Sequence, residues 1–191
     1  MIHAEKKDLS SAVSQNKKVM IGRKKPITKE EALQKMASLC SRGEQCSKEI
    51  REKLFHLGLR KDEIDEILNW LKSNRYIDEN RYARSIAHDK SRFSNWGPNK
   101  IKLYLFSKHI PASSIKEALE SVEDNIWETA LMKSAETKSR QLDLTLSGEE
   151  GYNNRKKLFL FLIGRGFTSA AANRAVKIMK SRQKASDDSM V

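Results

Sequence analysis

The feature that most constrains this chain is that it repeats itself. Glu49-Ile50-Arg51-Glu52-Lys53-Leu54-Phe55 lies over Lys100-Ile101-Lys102-Leu103-Tyr104-Leu105-Phe106 at an offset of 51 residues. The same offset carries Leu59 onto Ile110, Ile64 onto Ile115 and Leu68 onto Leu119. At an offset of 108, Ile50 falls on Leu158, Leu54 on Leu162, Gly58 on Gly166, Leu59 on Phe167 and Leu68 on Val176. Each copy has a short apolar helix face, a tight turn, and a second face resuming on a hydrophobic residue. Upstream, Leu33-Met36-Ala37, Ala83-Ile86-Ala87 and Leu131-Ser134-Ala135 correspond more loosely. Recurrence at near-constant spacing, 51 and then 57 residues, marks a repeat architecture, in which units too small to bury a core alone complete it against neighbours.

Local signals fit helices throughout. Thr28 followed by Glu31 is a capping box. Behind it Leu33, Met36, Ala37 and Cys40 recur at helical spacing. Ser47 reads as the cap of a second helix with Ile50, Leu54 and Leu57 inward and Gly58 as its stop. Ile64, Ile67, Leu68 and Leu71 mark a third helix, and Asp78 reads as the cap of a fourth. Glycine (8) and proline (3) are too scarce for a turn-rich sandwich or barrel. The expectation is an all-α protein of three tandem three-helix repeats forming an elongated, curved array, with units at 28–77, 78–122 and 123–182. Residues 1–27 read as a disordered basic arm and 183–191 as a frayed tail. Leu142, Leu144 and Leu146 alternate with polar residues but have no strand to pair with, so 141–152 reads as an exposed loop.

Chemistry of the enzymatic kind has no visible seat. His3, His56, His88 and His109 lie at unrelated positions, and Cys40 and Cys46 lack the further ligands a zinc site needs. No catalytic residue, metal or cofactor is therefore expected. Gly164-x-Gly166 is the nearest thing to a phosphate-cradling loop, and Gly166 reads instead as a left-handed helix cap. No apolar run is long enough to cross a membrane, and the N-terminus lacks the apolar core of a signal peptide, so a cytoplasmic protein is expected.

Charge is the remaining clue. Hydrophobic residues make up 38% and charged residues 32%, with 37 Lys+Arg against 25 Asp+Glu and a net charge of +12. That excess points to a polyanion or an acidic protein as partner. Residues 29–78 are neutral, whereas 79–122 carry +4. The dense stretch holds Arg81, Arg84, Lys90, Arg92, Lys100, Lys102 and Lys108, with Tyr82, Phe93, Trp96, Tyr104 and Phe106 between them. Arg155-Lys156-Lys157 reads as the start of a helix in the third unit. Cations can neutralise phosphates and exposed aromatics can stack on unpaired bases, although Tyr82, Phe93 and Phe106 also fit apolar core faces. A helix-turn-helix transcription regulator and an adaptor for acidic proteins are the competing readings.

Tyr76-Ile77-Asp78-Glu79-Asn80-Arg81-Tyr82-Ala83, followed by Arg92, Gly97, Ile101, Leu105, Lys108 and Ile110, resembles the central signature of the RecX family. Phe161-Leu162-Ile163-Gly164-Arg165-Gly166-Phe167 resembles its late "F-L-x-R-R-G-F" motif. Arg42, Ser47, Glu49, Ile50 and Leu54 resemble its opening motif. The chain departs from the pattern at Arg75 and His109, where the family shows glycine. Further departures are Glu79 for Asp, Lys100 for Arg, Tyr104 for Glu and Gly164 for Arg. The resemblance implies a non-enzymatic, monomeric regulator of the RecA recombinase that binds the RecA–single-stranded DNA filament and, in some members, DNA directly, in single- or double-stranded form. It makes Arg81, Arg84, Lys90, Arg92, Lys100, Lys102, Lys108, Arg155, Lys156, Lys157 and Arg165 the candidate filament- or DNA-binding residues.

Overall fold

The computed structural model describes residues 27–188, so the expectation of a disordered arm falls almost wholly outside the described residues. Those residues form nine α-helices and no strand: α1 (Lys29–Arg42), α2 (Ser47–His56), α3 (Lys61–Ser73), α4 (Glu79–Ser94), α5 (Pro98–Ser107), α6 (Ala112–Glu120), α7 (Asp124–Ser139), α8 (Gly148–Gly164) and α9 (Ser169–Asp188). They group into three three-helix units, each around its own apolar cluster. Ala32, Ile50, Leu54, Ile67 and Leu71 anchor the first. Tyr82, Ile101, Leu105, Ile110 and Ile115 anchor the second. Leu131, Leu144, Leu158, Leu162 and Phe167 anchor the third. Full burial of one such leucine contributes about 1.5–3 kcal/mol, so three small cores are individually thin and lean on one another.

The repeated turn is the same object three times. The amides of Leu59, Ile110 and Phe167 donate to the carbonyls of Leu54, Leu105 and Leu162 at 3.4, 3.2 and 3.2 Å. One residue earlier, the amides of Gly58, His109 and Gly166 donate to Phe55, Phe106 and Ile163 at 2.9, 3.0 and 2.8 Å. This double bonding is the Schellman closure, which requires a left-handed residue at its centre. The central φ values are +87° at Gly58, +62° at His109 and +93° at Gly166. The hydrophobic–X4–hydrophobic spacing in the sequence is the signature of that closure, because the residues at its two ends face the core together.

Helix starts follow their sequence signals in two places and depart in a third. Thr28 and Glu31 form the reciprocal capping box, and the Asp78 carboxylate accepts from the amides of Asn80 and Arg81 at 2.9 and 3.0 Å. Ser47, in contrast, is the first helical residue rather than the cap. Cys46 holds the cap position, and the Ser47 amide donates to Glu79 Oε1 of the next unit at 3.0 Å.

Four other expectations are corrected. Segment 141–152 is an inter-helix loop only over 141–147: α8 already begins at Gly148, and Leu144 within the loop is fully buried, its amide donating to Gln183 Oε1 at 2.9 Å. The chain beyond Arg182 does not fray at once; α9 continues to Asp188, and Gln183 Nε2 donates to the carbonyls of Ser139 and Leu142. Arg155-Lys156-Lys157 lie in the middle of α8 rather than at its start. Phe93 and Phe106 are not core residues; they are 82% and 70% exposed.

Candidate nucleic-acid interface

Three of the eleven candidate cations are bound to groups of the protein itself. Arg81 meets Glu44 through two contacts, at 2.9 and 3.3 Å, and donates to the Arg75 carbonyl at 3.0 Å. It ties the α1–α2 turn to α4. Lys108 Nζ sits 2.6 Å from Glu49 Oε1, with both side chains only about one-fifth exposed. The hydrogen bond to that carboxylate, with the attraction of its charge, raises the Lys108 pKa above the ordinary lysine value. Glu49 Oε1 also accepts from the Tyr82 hydroxyl at 3.2 Å. Arg155 Nη1 donates to the carbonyls of Leu144 and Leu146 at 3.1 and 3.0 Å and so fastens the loop before α8. Arg84 is less committed, facing Glu117 at 3.6 Å on the exposed flank of α4 and α6.

Three others lie where the second unit meets the third. Lys90 and Lys100 stand over the Trp96 ring, 5.4 and 4.6 Å from its centroid. Trp96 rests edge-on against Tyr104. Arg165 lies over Phe161 at 5.7 Å, and its Nε is buried with no hydrogen-bond partner. Its carbonyl accepts from the Gly97 amide at 2.7 Å, while Asn99 donates to the Gly166 carbonyl at 3.0 Å. The start of α5 is therefore closed by the turn after α8, and Arg165 is held beside Lys100 and Trp96. Arg92 and Phe93 are exposed near the end of α4, with Arg92 free of any side-chain partner among the described residues. Cations held over a ring keep hydrogens available for phosphate oxygens, and an exposed Phe offers a stacking face.

Lys102, Lys156 and Lys157 remain apart. Lys102 is exposed on another face of α5, Lys156 lies over Tyr152 at 6.0 Å, and Lys157 is exposed on α8. Sequence reasoning missed the acidic partners. Glu44 and Glu49 neutralise two of the most suggestive cations, and only the Glu49 position within the opening motif hinted at a role.

Chemistry beyond ionic and stacking contacts finds little purchase. Among the described residues no group of His, Cys, Asp and Glu can hold a metal ion. Burial raises the thiol pKa values of Cys40 and Cys46, which lowers their nucleophilic character at neutral pH. No described helix is long and apolar enough to cross a membrane.

Stacked three-helix units with a mixed basic and aromatic patch at one junction define a helical-repeat scaffold of the kind that binds extended partners. Residues 78–119, the second of these units, match the domain described as "RecX, second three-helix domain". Regulatory protein RecX of Clostridium botulinum (strain Eklund 17B / Type B) is 31% identical over 121 residues, covering 63% of this chain and 55% of that protein. Regulatory protein RecX of Clostridium perfringens (strain SM101 / Type A) is 27% identical over 136 residues, covering 71% and 62%. The chain thus spans roughly three-fifths of the length of these relatives. A crystal structure of RecX from Lactobacillus salivarius shares the fold, with a TM-score of 0.64 at 23% identity over 79% of this chain and 96% of that one. The second unit thus matches a RecX domain, and the chain is similar to regulatory protein RecX over much of its length.

Proposed function

We propose that the chain regulates the RecA recombinase by binding the RecA–single-stranded DNA filament and inhibiting its extension, ATPase, strand exchange and co-protease activities, and so modulates DNA repair and recombination. It does so as a cytoplasmic monomer without a cofactor and without chemistry of its own. The observation that supports this most is the RecX second three-helix domain at residues 78–119, whose basic and aromatic residues face solvent beside the junction with the third unit. A filament groove is long and polyanionic. A repeat scaffold matches its length, and cations beside stacking faces match its phosphates and unpaired bases.

Of the candidate cations, this reading assigns contact with the filament to Lys90, Arg92, Lys100 and Arg165, with Phe93 as the stacking group. Arg81, Lys108 and Arg155 support the scaffold, so truncating them reads out stability as well as binding. The deciding experiment is RecA ATPase on single-stranded DNA with the purified chain titrated in. Dose-dependent loss of the rate below one chain per recombinase is expected, and an unchanged rate at excess chain refutes the reading. In Lys90→Ala/Arg92→Ala/Lys100→Ala, each lost phosphate contact lowers the salt slope of single-strand binding by about 0.7. A transcription regulator would instead bind one duplex sequence tightly over competitor DNA.

A further inference from the structure

The second unit is a core left open on one side. At the register position where Leu68 and Val176 are buried in the first and third units, Leu119 is only half covered. The cause is local: α6 has 9 residues against 13 in α3 and 20 in α9. The α5 face beside it carries Leu103 and Phe106, 71% and 70% exposed. With Ile115 and Leu119 they line a groove of about 660 Å³, and Lys102, Lys116 and Glu120 stand on its walls, two cations against one carboxylate. In the first unit the position of Leu103 is held by Glu52, so the repeat itself does not demand an apolar residue there. Exposed apolar surface of this shape marks a docking site.

Charge decides the occupant. Among the described residues Lys102 has no side-chain partner, and Lys116 has only Glu120 at 3.9 Å on its own helix. A second copy of the chain would bring a net charge of +12, and residues 1–28 carry +5, so both are repelled by a lysine-walled groove. We propose that the groove docks an acidic amphipathic helix of a partner protein. Its apolar side chains, one turn apart, seat between Leu103, Phe106 and Leu119, and its carboxylates pair with Lys102 and Lys116. On α5, Lys102 and Phe106 lie about 160° and 120° from Lys100 and Leu103 about 60°, so the groove adjoins the nucleic-acid patch on its far side, and the proposal stands without the recombinase reading.

The test uses the full chain and a synthetic helical peptide of about four turns, with leucine at i, i+3, i+4 and i+7 and glutamate elsewhere. A control peptide carries lysine in place of glutamate. Amide chemical-shift changes are expected at Leu103, Phe106, Ile115 and Leu119, with affinity about tenfold or more higher for the acidic peptide. Leu103→Ser/Phe106→Ser, altering two exposed side chains, keeps the thermal midpoint and loses about tenfold or more in affinity. Lys102→Glu/Lys116→Glu reverses the preference between the peptides. Equal binding of both peptides, shifts centred elsewhere, no binding, or a wild-type dimer in sedimentation that Leu103→Ser/Phe106→Ser dissolves would each overturn the proposal. Peptide binding that persists while RecA ATPase is untouched removes the recombinase reading alone.

Discussion

The two junctions between units differ in what crosses them, although apolar side chains pack across both: Cys46 of the first unit, and Ile126 and Trp127 of the third, lie against the second unit's core. The first unit meets the second through charged and polar side chains: Lys108 on Glu49, Tyr82 on Glu49, Arg81 on Glu44, and Lys48 on the Ser107 carbonyl at 2.9 Å. The second meets the third through backbone. Two amide hydrogen bonds run from Gly97 and Asn99 to the Arg165 and Gly166 carbonyls, and the glycines touch. A Cβ added to Gly97 would lie 2.5 Å from the Gly166 carbonyl carbon. Side-chain ion pairs weaken with salt and with titration, whereas packed backbone does neither. The same repeat thus carries one junction that solution conditions can adjust and one that they cannot. The candidate nucleic-acid patch sits on the fixed one.

The largest expected effect breaks the fixed junction. Gly166→Ala puts a Cβ 2.3 Å from the Lys100 amide nitrogen, at a φ of +93°. The obstructing atoms are the Lys100 backbone and its Cβ, which is fixed to that backbone, so they cannot swing aside. Overpacking and left-handed strain together cost about 3 kcal/mol or more. Gly58→Ala is the matched control: the turn and the sign of φ are the same, but nothing lies within 4 Å. It retains only the strain, about 1 kcal/mol. Urea midpoints at unchanged slope check both, with amide exchange assigning the loss to units. Equal losses at the two positions would show that the glycine contact adds nothing to the second junction.

A smaller effect is expected at the adjustable junction. Glu49→Gln keeps an acceptor for Tyr82 but removes the charge facing Lys108. The pair is partly solvated, so the loss is about 1 kcal/mol and shrinks further as salt rises. The pH dependence has a definite sign. The folded pKa of Lys108 is raised, chiefly by its hydrogen bond to Glu49. Its contribution is complete below the ordinary lysine value of about 10.4 and disappears as pH rises through the folded value. Amide exchange in α1–α3 is expected to quicken in salt and, in the wild type alone, to gain an added alkaline component. Identical salt responses on the two sides of α4 would contradict the contrast between the junctions.

How much of this was legible in the sequence divides along physical lines. The helices, the three units and the turn were readable because apolar periodicity and left-handed stops are local properties. So was the density of charge around α4 and α5. Which cations are free was not readable, because Glu44 and Glu49 lie 37 and 59 residues before their partners Arg81 and Lys108. Gly166 was legible as a left-handed cap, but not as the surface on which α5 begins, since that contact joins different units. Leu144 looked like a loop residue until Gln183, 39 residues away, was seen to hold its backbone. Phe93 and Phe106 fit helical faces by spacing, and spacing cannot say that no helix covers them.

The smallest expected effect concerns the turn that lacks glycine. Arg75 and His109 depart from the family pattern where it shows glycine, and their φ values are +60° and +62°. Both hold a left-handed conformation with a side chain attached, which is sterically unfavourable. The His109 side chain is exposed and makes no hydrogen bond among the described residues, so removing it forfeits no contact. His109→Gly therefore relieves strain while adding freedom to the unfolded chain, two effects of opposite sign. The strain is the larger, and a net gain of about 0.5 kcal/mol is expected. Arg75→Gly separates from it, because the Arg75 carbonyl accepts from Arg81 and greater backbone freedom there loosens the polar junction. Thermal midpoints at low and high salt distinguish the two: His109→Gly raises the midpoint equally in both, and Arg75→Gly gains less at low salt, where the Arg81–Glu44 pair is strongest. A loss in His109→Gly at both salts would mean that His109 stiffens the unfolded chain by more than it strains the folded turn.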